Sequence, residues 1–242
     1  MSYPIDHIDI VVTHNCNMKC PYCIDTFRGN AGEISLDSID AFLKKIRSIT
    51  DQKLEVLLLG GEPTCIDTDK LCSIAKKIKE YGFSPIISTN GIDRKAVLKI
   101  LPYFDWIQIT THSEQETDYW RGVNVKYGNI NLKLSGDQTL TLEKLNHFID
   151  TTTDFTRRSV SMYFTPDFEE LCKDDRVWSL LDSELLNWER NGSYLYAFYK
   201  GVRFKKCIPG KTNIIDEPTV PKLYPNGNYN RTWLNEDMDD YL

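Results

Sequence analysis

No stretch of this chain is apolar over the ~18 residues that a membrane-spanning helix needs. The start, Met1-Ser2-Tyr3-Pro4-Ile5-Asp6, lacks the basic stretch and apolar core of a secretory leader. Positive charge is not in excess. Lys and Arg number 29 against 35 Asp and Glu, and the net charge of -6 offers no broad phosphate-binding surface. There is no internal repeat and no low-complexity segment. Histidine is scarce, and His7, His14 and His147 show no ligand-like clustering. Beyond residue 150 the only cysteines are Cys172 and Cys207. What remains is a globular composition, 41% hydrophobic and 26% charged. The 242 residues suit one large α/β domain, or a domain with a small appendage. An odd cysteine count of seven, with three clustered, fits a reducing, cytoplasmic compartment and metal binding better than a disulfide framework. Cys65, Cys72, Cys172 and Cys207 are scattered and read as small buried hydrophobes. The acidic end, Glu236 to Asp240, reads as a solvated tail.

The first two-thirds alternates strand-like and helix-like segments, the pattern of βα units around a parallel sheet. Strands are expected at Ile5 to Val12, Leu54 to Leu59, Pro85 to Ser88, Trp106 to Thr110, Ile130 to Leu134 and Val160 to Phe164. Helical spacing follows Ser35 (Leu36, Ile39, Phe42, Leu43, Ile46) and recurs at Leu71 to Tyr81, Ala96 to Leu101 and Leu142 to Ile149. Periodicity alone leaves an open barrel and a doubly wound sheet equally possible. From about Asp167 the pattern changes. A helix with Val177, Trp178, Leu181, Leu185 and Trp188 is expected, then aromatic-rich extended segments at Tyr194 to Phe204 and Leu223 to Trp233. Asn226-Gly227 is a hairpin signal, because both residues tolerate positive φ.

Cys16, Cys20 and Cys23 stand in the run Cys16-Asn17-Met18-Lys19-Cys20-Pro21-Tyr22-Cys23. Three thiolates on one short loop suit three irons of a [4Fe–4S] cube and leave the fourth iron open. An open position distinguishes a catalytic metal centre from a closed one. Half of a zinc site is the competing reading, with His14 or Cys65 as fourth ligand.

The run resembles the Cys-x3-Cys-x2-Cys signature of the radical S-adenosylmethionine (SAM) family, with Tyr22 in the aromatic place before the last cysteine. The resemblance implies a partial (β/α)6 barrel, one [4Fe–4S] cluster and SAM as cofactors. It also implies an external one-electron donor such as flavodoxin or ferredoxin. In that family the open iron is chelated by the SAM amino and carboxylate groups. Reductive cleavage yields methionine and a 5′-deoxyadenosyl radical, which abstracts hydrogen from the substrate. The cofactors carry the hard chemistry, and the protein orients and shields them.

Gly60-Gly61-Glu62-Pro63 follows the second expected strand and is similar to the family's Gly-Gly-Glu-Pro motif. There the glycines let backbone approach the ligand, and main-chain groups with Glu62 receive the SAM ammonium. Ser88-Thr89-Asn90-Gly91 resembles the family's Thr-Asn-Gly, which implies that Ser88 and Asn90 face the SAM carboxylate or ribose. A plain Asn-Gly turn is the alternative. Thr110-Thr111-His112-Ser113 ends the fourth strand where many members carry Ser-x-Asp, so Thr110 enters the pocket by resemblance while the ribose contact stays open. Trp120-Arg121-Gly122 resembles the post-strand Arg-Gly segment. His112 is either a substrate acid or base or a satisfied polar residue at a sheet edge.

The expected architecture is therefore α/β, a partial radical SAM barrel over residues 1–166 with a short α+β extension over 167–242. Cys207-Ile208-Pro209-Gly210 and Leu223 to Gly227 are similar to the hairpin of SPASM or twitch domains. Two cysteines are nevertheless too few for an auxiliary cluster. The expected substrate is a peptide or a small metabolite. A glycyl-radical-enzyme activase and a non-catalytic metal-binding regulatory protein are the alternatives.

Overall fold

The computed structural model of the protein describes residues 7–20, 23, 32–134, 140–162, 187–191, 194–207 and 220–230. Six parallel strands form its centre: β1 (His7–Thr13), β2 (Glu55–Gly60), β3 (Ser84–Thr89), β4 (Trp106–Thr111), β5 (Val125–Leu134) and β6 (Phe155–Met162). They lie side by side in chain order, each parallel to the next. Right-handed crossovers on a sheet whose order never reverses place every connecting helix on one face. A doubly wound sheet reverses order at a switch point, and this one does not. The strand order therefore resolves what periodicity leaves open, in favour of an open barrel-like sheet.

The helices are α1 (Leu36–Ile49), α2 (Thr68–Glu80), α3 (Arg94–Ile100), α4 (Glu114–Asp118) and α5 (Leu142–Thr151). Each begins at a side chain that accepts a free N–H of the first turn. Ser35 accepts from Ser38, Asp67 from Asp69 and Lys70, Asp93 from Ala96, Ser113 from Glu116 and Thr141 from Lys144. The apolar stripes expected on α1 and α2 are buried, with Ile39, Phe42, Leu43 and Ile46 meeting Leu71, Ile74, Ala75 and Ile78 in one core. Strand residues Ile8, Ile10, Val12, Val56, Leu58, Ile107, Ile109, Ile130 and Val160 complete that core from the sheet. Because side chains alternate along a strand, Asp9, Thr13, Ser88, Gln108, Thr110, Asn131 and Ser159 fall on the opposite, inner face.

Two expected strands begin earlier in the structure. β5 starts at Val125 rather than Ile130, and β6 at Phe155 rather than Val160. The first half of β6 is polar on both faces: Arg157 and Ser159 look away from the helices, while Arg158, on the helix side with Thr156, donates to Ile149 O at 3.3 Å. The one-turn helix α4 is too short to show a period. The expected helix at 177–188 lies outside the described residues except for Asn187 and Trp188, which are not helical; Trp188 packs on the core.

The described C-terminal strands continue the same sheet at both edges. Beyond β6 come β7 (Glu189–Asn191), β8 (Tyr194–Tyr199) and β9 (Val202–Cys207), in the order β6-β9-β8-β7. The expected extended segment at 194–204 is thus a hairpin, turned at Lys200 and Gly201, both with positive φ. On the other side β10 (Lys222–Leu223) pairs parallel with β1, and β11 (Tyr229–Asn230) returns antiparallel through the Asn226-Gly227 turn. Lys222 Nζ reaches Asp9 Oδ2 at 3.1 Å beneath the surface. Burial pushes the Asp9 carboxyl up, and Lys222 pulls it back.

Candidate active site

β1 runs directly into the loop that carries the three cysteines, at the carboxyl end of the parallel strands where such sheets bind ligands. Two backbone bonds join this loop to the Gly-Gly-Glu turn after β2. Gly61 N donates to Thr13 O at 2.8 Å, and Glu62 N donates to Asn15 O at 2.8 Å. The approach is so close that only glycine fits. A Cβ on Gly60, which has φ +140°, would lie 2.1 Å from Thr13 O, and one on Gly61 would lie 2.4 Å from Asn15 O. The two motifs that sequence reading took separately are one structure.

Glu62 is the hub of that structure and is 1% exposed. Its Oε1 accepts from Thr64 N at 3.0 Å, Thr64 Oγ1 at 2.7 Å and Thr89 Oγ1 at 2.6 Å. Its Oε2 accepts from Asn90 N at 2.6 Å. Each carboxylate oxygen has about two acceptor positions, so Oε1 is saturated and Oε2, with one donor, retains room for another. Pro63 begins the short 3-10 turn that Glu62 caps. Asn90 braces the cysteine loop, its Nδ2 donating to Asn17 Oδ1 at 2.7 Å. Gly91 has φ +68°, and a Cβ there would lie 2.9 Å from both Ile109 and the buried Trp120. Ser88 and Thr110 lie on the inner face, in register with Gln108 and Asn131.

Cys16 is exposed, and Cys20 and Cys23 are half-buried. Cys16 Sγ accepts from Met18 N at 3.3 Å, and burial pushes its thiol up to about 11. Among the described residues no three His, Cys, Asp or Glu side chains are gathered tightly enough to hold a metal ion. The donor chemistry fits a cluster: three thiols on one loop, and a cation close by. That cation is Lys133 of β5, on the inner face and within electrostatic reach of Cys20 and Cys23. Burial pushes its pKa down to about 8, and those two thiols act in the other direction.

His112 is anchored rather than presented. Its backbone N donates to Glu116 Oε2 at 2.6 Å, and its Nδ1 meets the same oxygen at 3.2 Å. Burial raises the Glu116 carboxyl, but the two His112 hydrogen bonds outweigh it and hold that group below the usual carboxylate range. The Arg121 guanidinium donates to Asp118 and Thr151, on the helix side. Tyr22 lies outside the described residues. Sequence reading missed Asn17, Thr64, Thr89 and Lys133. Asn17 and Thr89 stand inside quoted motifs without a role given to them, and Thr64 directly follows Gly60 to Pro63. Lys133 carried no sequence signal, because an isolated lysine in a strand reads as solvent-facing.

A parallel open barrel with a cysteine loop and a glycine turn fused at its ligand-binding end defines a SAM-type radical enzyme class. The Radical SAM superfamily model matches residues 10–130, half of the chain. The chain belongs to the radical SAM superfamily, a superfamily of enzymes. Two Methanocaldococcus jannaschii proteins described as glycyl-radical enzyme activating enzymes are similar to it. One is 35% identical over 101 residues, covering 39% of this chain and 37% of its own. The other is 29% identical over 107 residues, covering 42% and 40%. The match thus spans about two-fifths of the length of these relatives. Among solved structures, Streptococcus suis SuiB bound to S-adenosylmethionine superposes with a TM-score of 0.60 at 14% identity, over 98% of this chain and 62% of that one. At that identity the likeness is one of fold.

Proposed function

We propose that this protein reductively cleaves SAM at a single [4Fe–4S] cluster held by Cys16, Cys20 and Cys23 and abstracts hydrogen from a peptide substrate. The observation that carries the reading is the pair of backbone bonds from Thr13 and Asn15 to Gly61 and Glu62. They tie the cysteine loop to the Gly60 to Pro63 turn, which supports the reading of the two as one cofactor site. A closed zinc or regulatory site has no use for that fusion. When bound, the cluster and SAM supply the electron and the 5′-deoxyadenosyl radical.

The chain's own residues bind and orient. Gly60 and Gly61 bring backbone close to the methionine end of SAM, and the open position on Glu62 Oε2 receives its ammonium. Ser88, Asn90 and Thr110 complete the pocket, with Tyr22 at the cluster loop. Lys133 supplies a counter-charge to the thiolates. The electron comes from a flavodoxin or ferredoxin in the cytoplasm. Residues 1–166 act as the core and 167–242 as the cap of the substrate cleft.

A peptide is favoured over a small metabolite by the names of the similar proteins, including SuiB bound to its precursor peptide SuiA. Activation of a glycyl-radical enzyme is the second reading, favoured by the 35% identity to one described activating enzyme. Anaerobic reconstitution, followed by SAM and dithionite, tests the first step. The expected outcome is one cluster per chain, with 5′-deoxyadenosine and methionine formed. Bound zinc, or no 5′-deoxyadenosine, refutes it. A glycine-centred EPR doublet on an added glycyl-radical enzyme would select the second reading.

A further inference from the structure

The inner face of the sheet carries a cationic pocket that the SAM site does not use. It lies at the starting ends of the central strands, between β4 and β8, and encloses about 380 Å³. That volume is in the range of small-ligand sites. Trp106, Gln108, Asn129, Arg157, Phe198 and Arg203 line it. Register explains why they meet. Gln108 pairs with Asn129 and Asn129 with Arg157, while Arg203 pairs with Phe198.

Both arginines lie near aromatic rings. The Arg157 guanidinium is 5.0 Å from the centre of the Trp106 ring, and that of Arg203 is 5.8 Å from the centre of Tyr196. An aromatic face restrains a guanidinium and leaves its in-plane N–H groups to meet a planar or tetrahedral oxyanion. Among the described residues neither arginine has a carboxylate within ion-pair distance, although the protein as a whole carries a net charge of -6. Among the described residues no acidic side chain lines the pocket.

A polar ladder leads from this pocket toward the cluster loop. Ser159 Oγ donates to Asn131 Oδ1 at 2.9 Å, and Asn131 Nδ2 donates to Ser161 Oγ at 2.9 Å. Ser161 lies between Lys133 and Lys205 in the register. Four residues of β6 separate Arg157 from Ser161, about 13 Å along the strand.

The geometry points to a substrate whose oxyanionic group, carboxylate or phosphate, is held between Arg157 and Arg203 while its reacting part extends along the ladder to the SAM site. This deepens the proposed function, because it rests on the inner face receiving the substrate. The anchor sets a minimum reach: the far end of the ladder at Ser161 lies about 13 Å, four residue steps, along β6 from Arg157.

Calorimetric titration of the reconstituted holoprotein tests it with four probes. Pyrophosphate stands for phosphate sources and glutarate for small carboxylates. An acetylated, amidated Gly-Glu-Glu-Gly peptide stands for acidic peptides, with its Gln-Gln counterpart as the neutral control. The expected result is saturable binding of at least one anionic probe, which names the source, and none of the neutral peptide. Arg157→Gln and Arg203→Gln, both at exposed positions and checked for folding by circular dichroism, should each weaken that binding about ten- to a hundredfold. Equal binding of the neutral peptide, no saturable anion binding, or unchanged affinity in both folded variants overturns the proposal. SAM cleavage by the wild-type holoenzyme is measured separately. Its absence would sink the broader reading without touching the anion pocket.

Discussion

The carboxylate of Glu62 accepts the backbone N–H of Asn90 at 2.6 Å, joining the turn after β2 to the end of β3 across 28 residues of sequence. Thr89 adds its hydroxyl to the other oxygen at 2.6 Å. A motif acidic residue thereby acts as a rivet first, and as a ligand contact only through the acceptor position it has left.

Glu62→Gln replaces one acceptor with a donor that faces an existing donor. Leaving a buried partner unsatisfied costs roughly 1–3 kcal/mol. The variant should therefore lose thermal stability and bind SAM ten- to a hundredfold more weakly. Differential scanning calorimetry and SAM titration followed by EPR measure the two effects. Unchanged stability would show that the four hydrogen bonds do not hold the turn.

Gly61→Ala puts a methyl group 2.4–2.5 Å from the carbonyl oxygens of Asn15 and His14. Both obstacles are backbone, so the cysteine loop has to shift. A destabilisation of about 1–3 kcal/mol and a lower iron content after reconstitution are expected. Full iron loading at wild-type stability would disprove the fusion of the two motifs.

Cys16→Ala, Cys20→Ala and Cys23→Ala should each abolish 5′-deoxyadenosine formation, since each leaves another iron without a thiolate. Cys65→Ala should retain the cluster and its EPR signal. Loss of the cluster in the Cys65 variant would restore the four-ligand reading.

The His112–Glu116 contact predicts a pH effect. The Glu116 carboxyl is held below its ordinary value of 4.5 in the folded protein. Its stabilisation is therefore complete above the unfolded value and is lost as pH falls through the lowered folded value. Glu116→Gln should flatten the loss of stability below about pH 4.5 and remove little of that pH dependence above it. Urea unfolding between pH 3 and 7 reads this directly. Identical acid limbs would mean that the contact contributes nothing.

The Asp9–Lys222 pair fastens β10 to β1. Removing one partner of a buried ion pair costs roughly 3–5 kcal/mol, while replacing both with apolar residues is often neutral. Lys222→Met should thus destabilise far more than the Asp9→Leu/Lys222→Met double variant. Chemical denaturation of both variants decides it. Additive losses would rule out a coupled pair.

The helix stripes at Ile39–Ile46 and Leu71–Ile78 were legible because a buried face imposes a 3.6-residue period. The full extent of β6 was not, because its first half is polar on both faces and reads Thr-Arg-Arg-Ser, which shows neither alternation nor an apolar run. The cysteine loop and Gly60 to Pro63 were legible as motifs. Their union through Thr13 and Asn15 was not, because backbone hydrogen bonds leave no mark on side-chain identity.

Local chemistry is what the sequence alone determined: which loop offers three thiols, which turn after the second strand is rich in glycine, and that Ser35 opens α1. Those properties depend on residues a few positions apart. Tertiary structure decided that the six central strands lie in chain order without reversal, that Lys222 reaches Asp9, that Lys133 comes within electrostatic reach of Cys20 and Cys23, and that Arg157 and Arg203 share one pocket. Each of these joins positions tens to hundreds of residues apart, and only strand order and register set which side chains become neighbours.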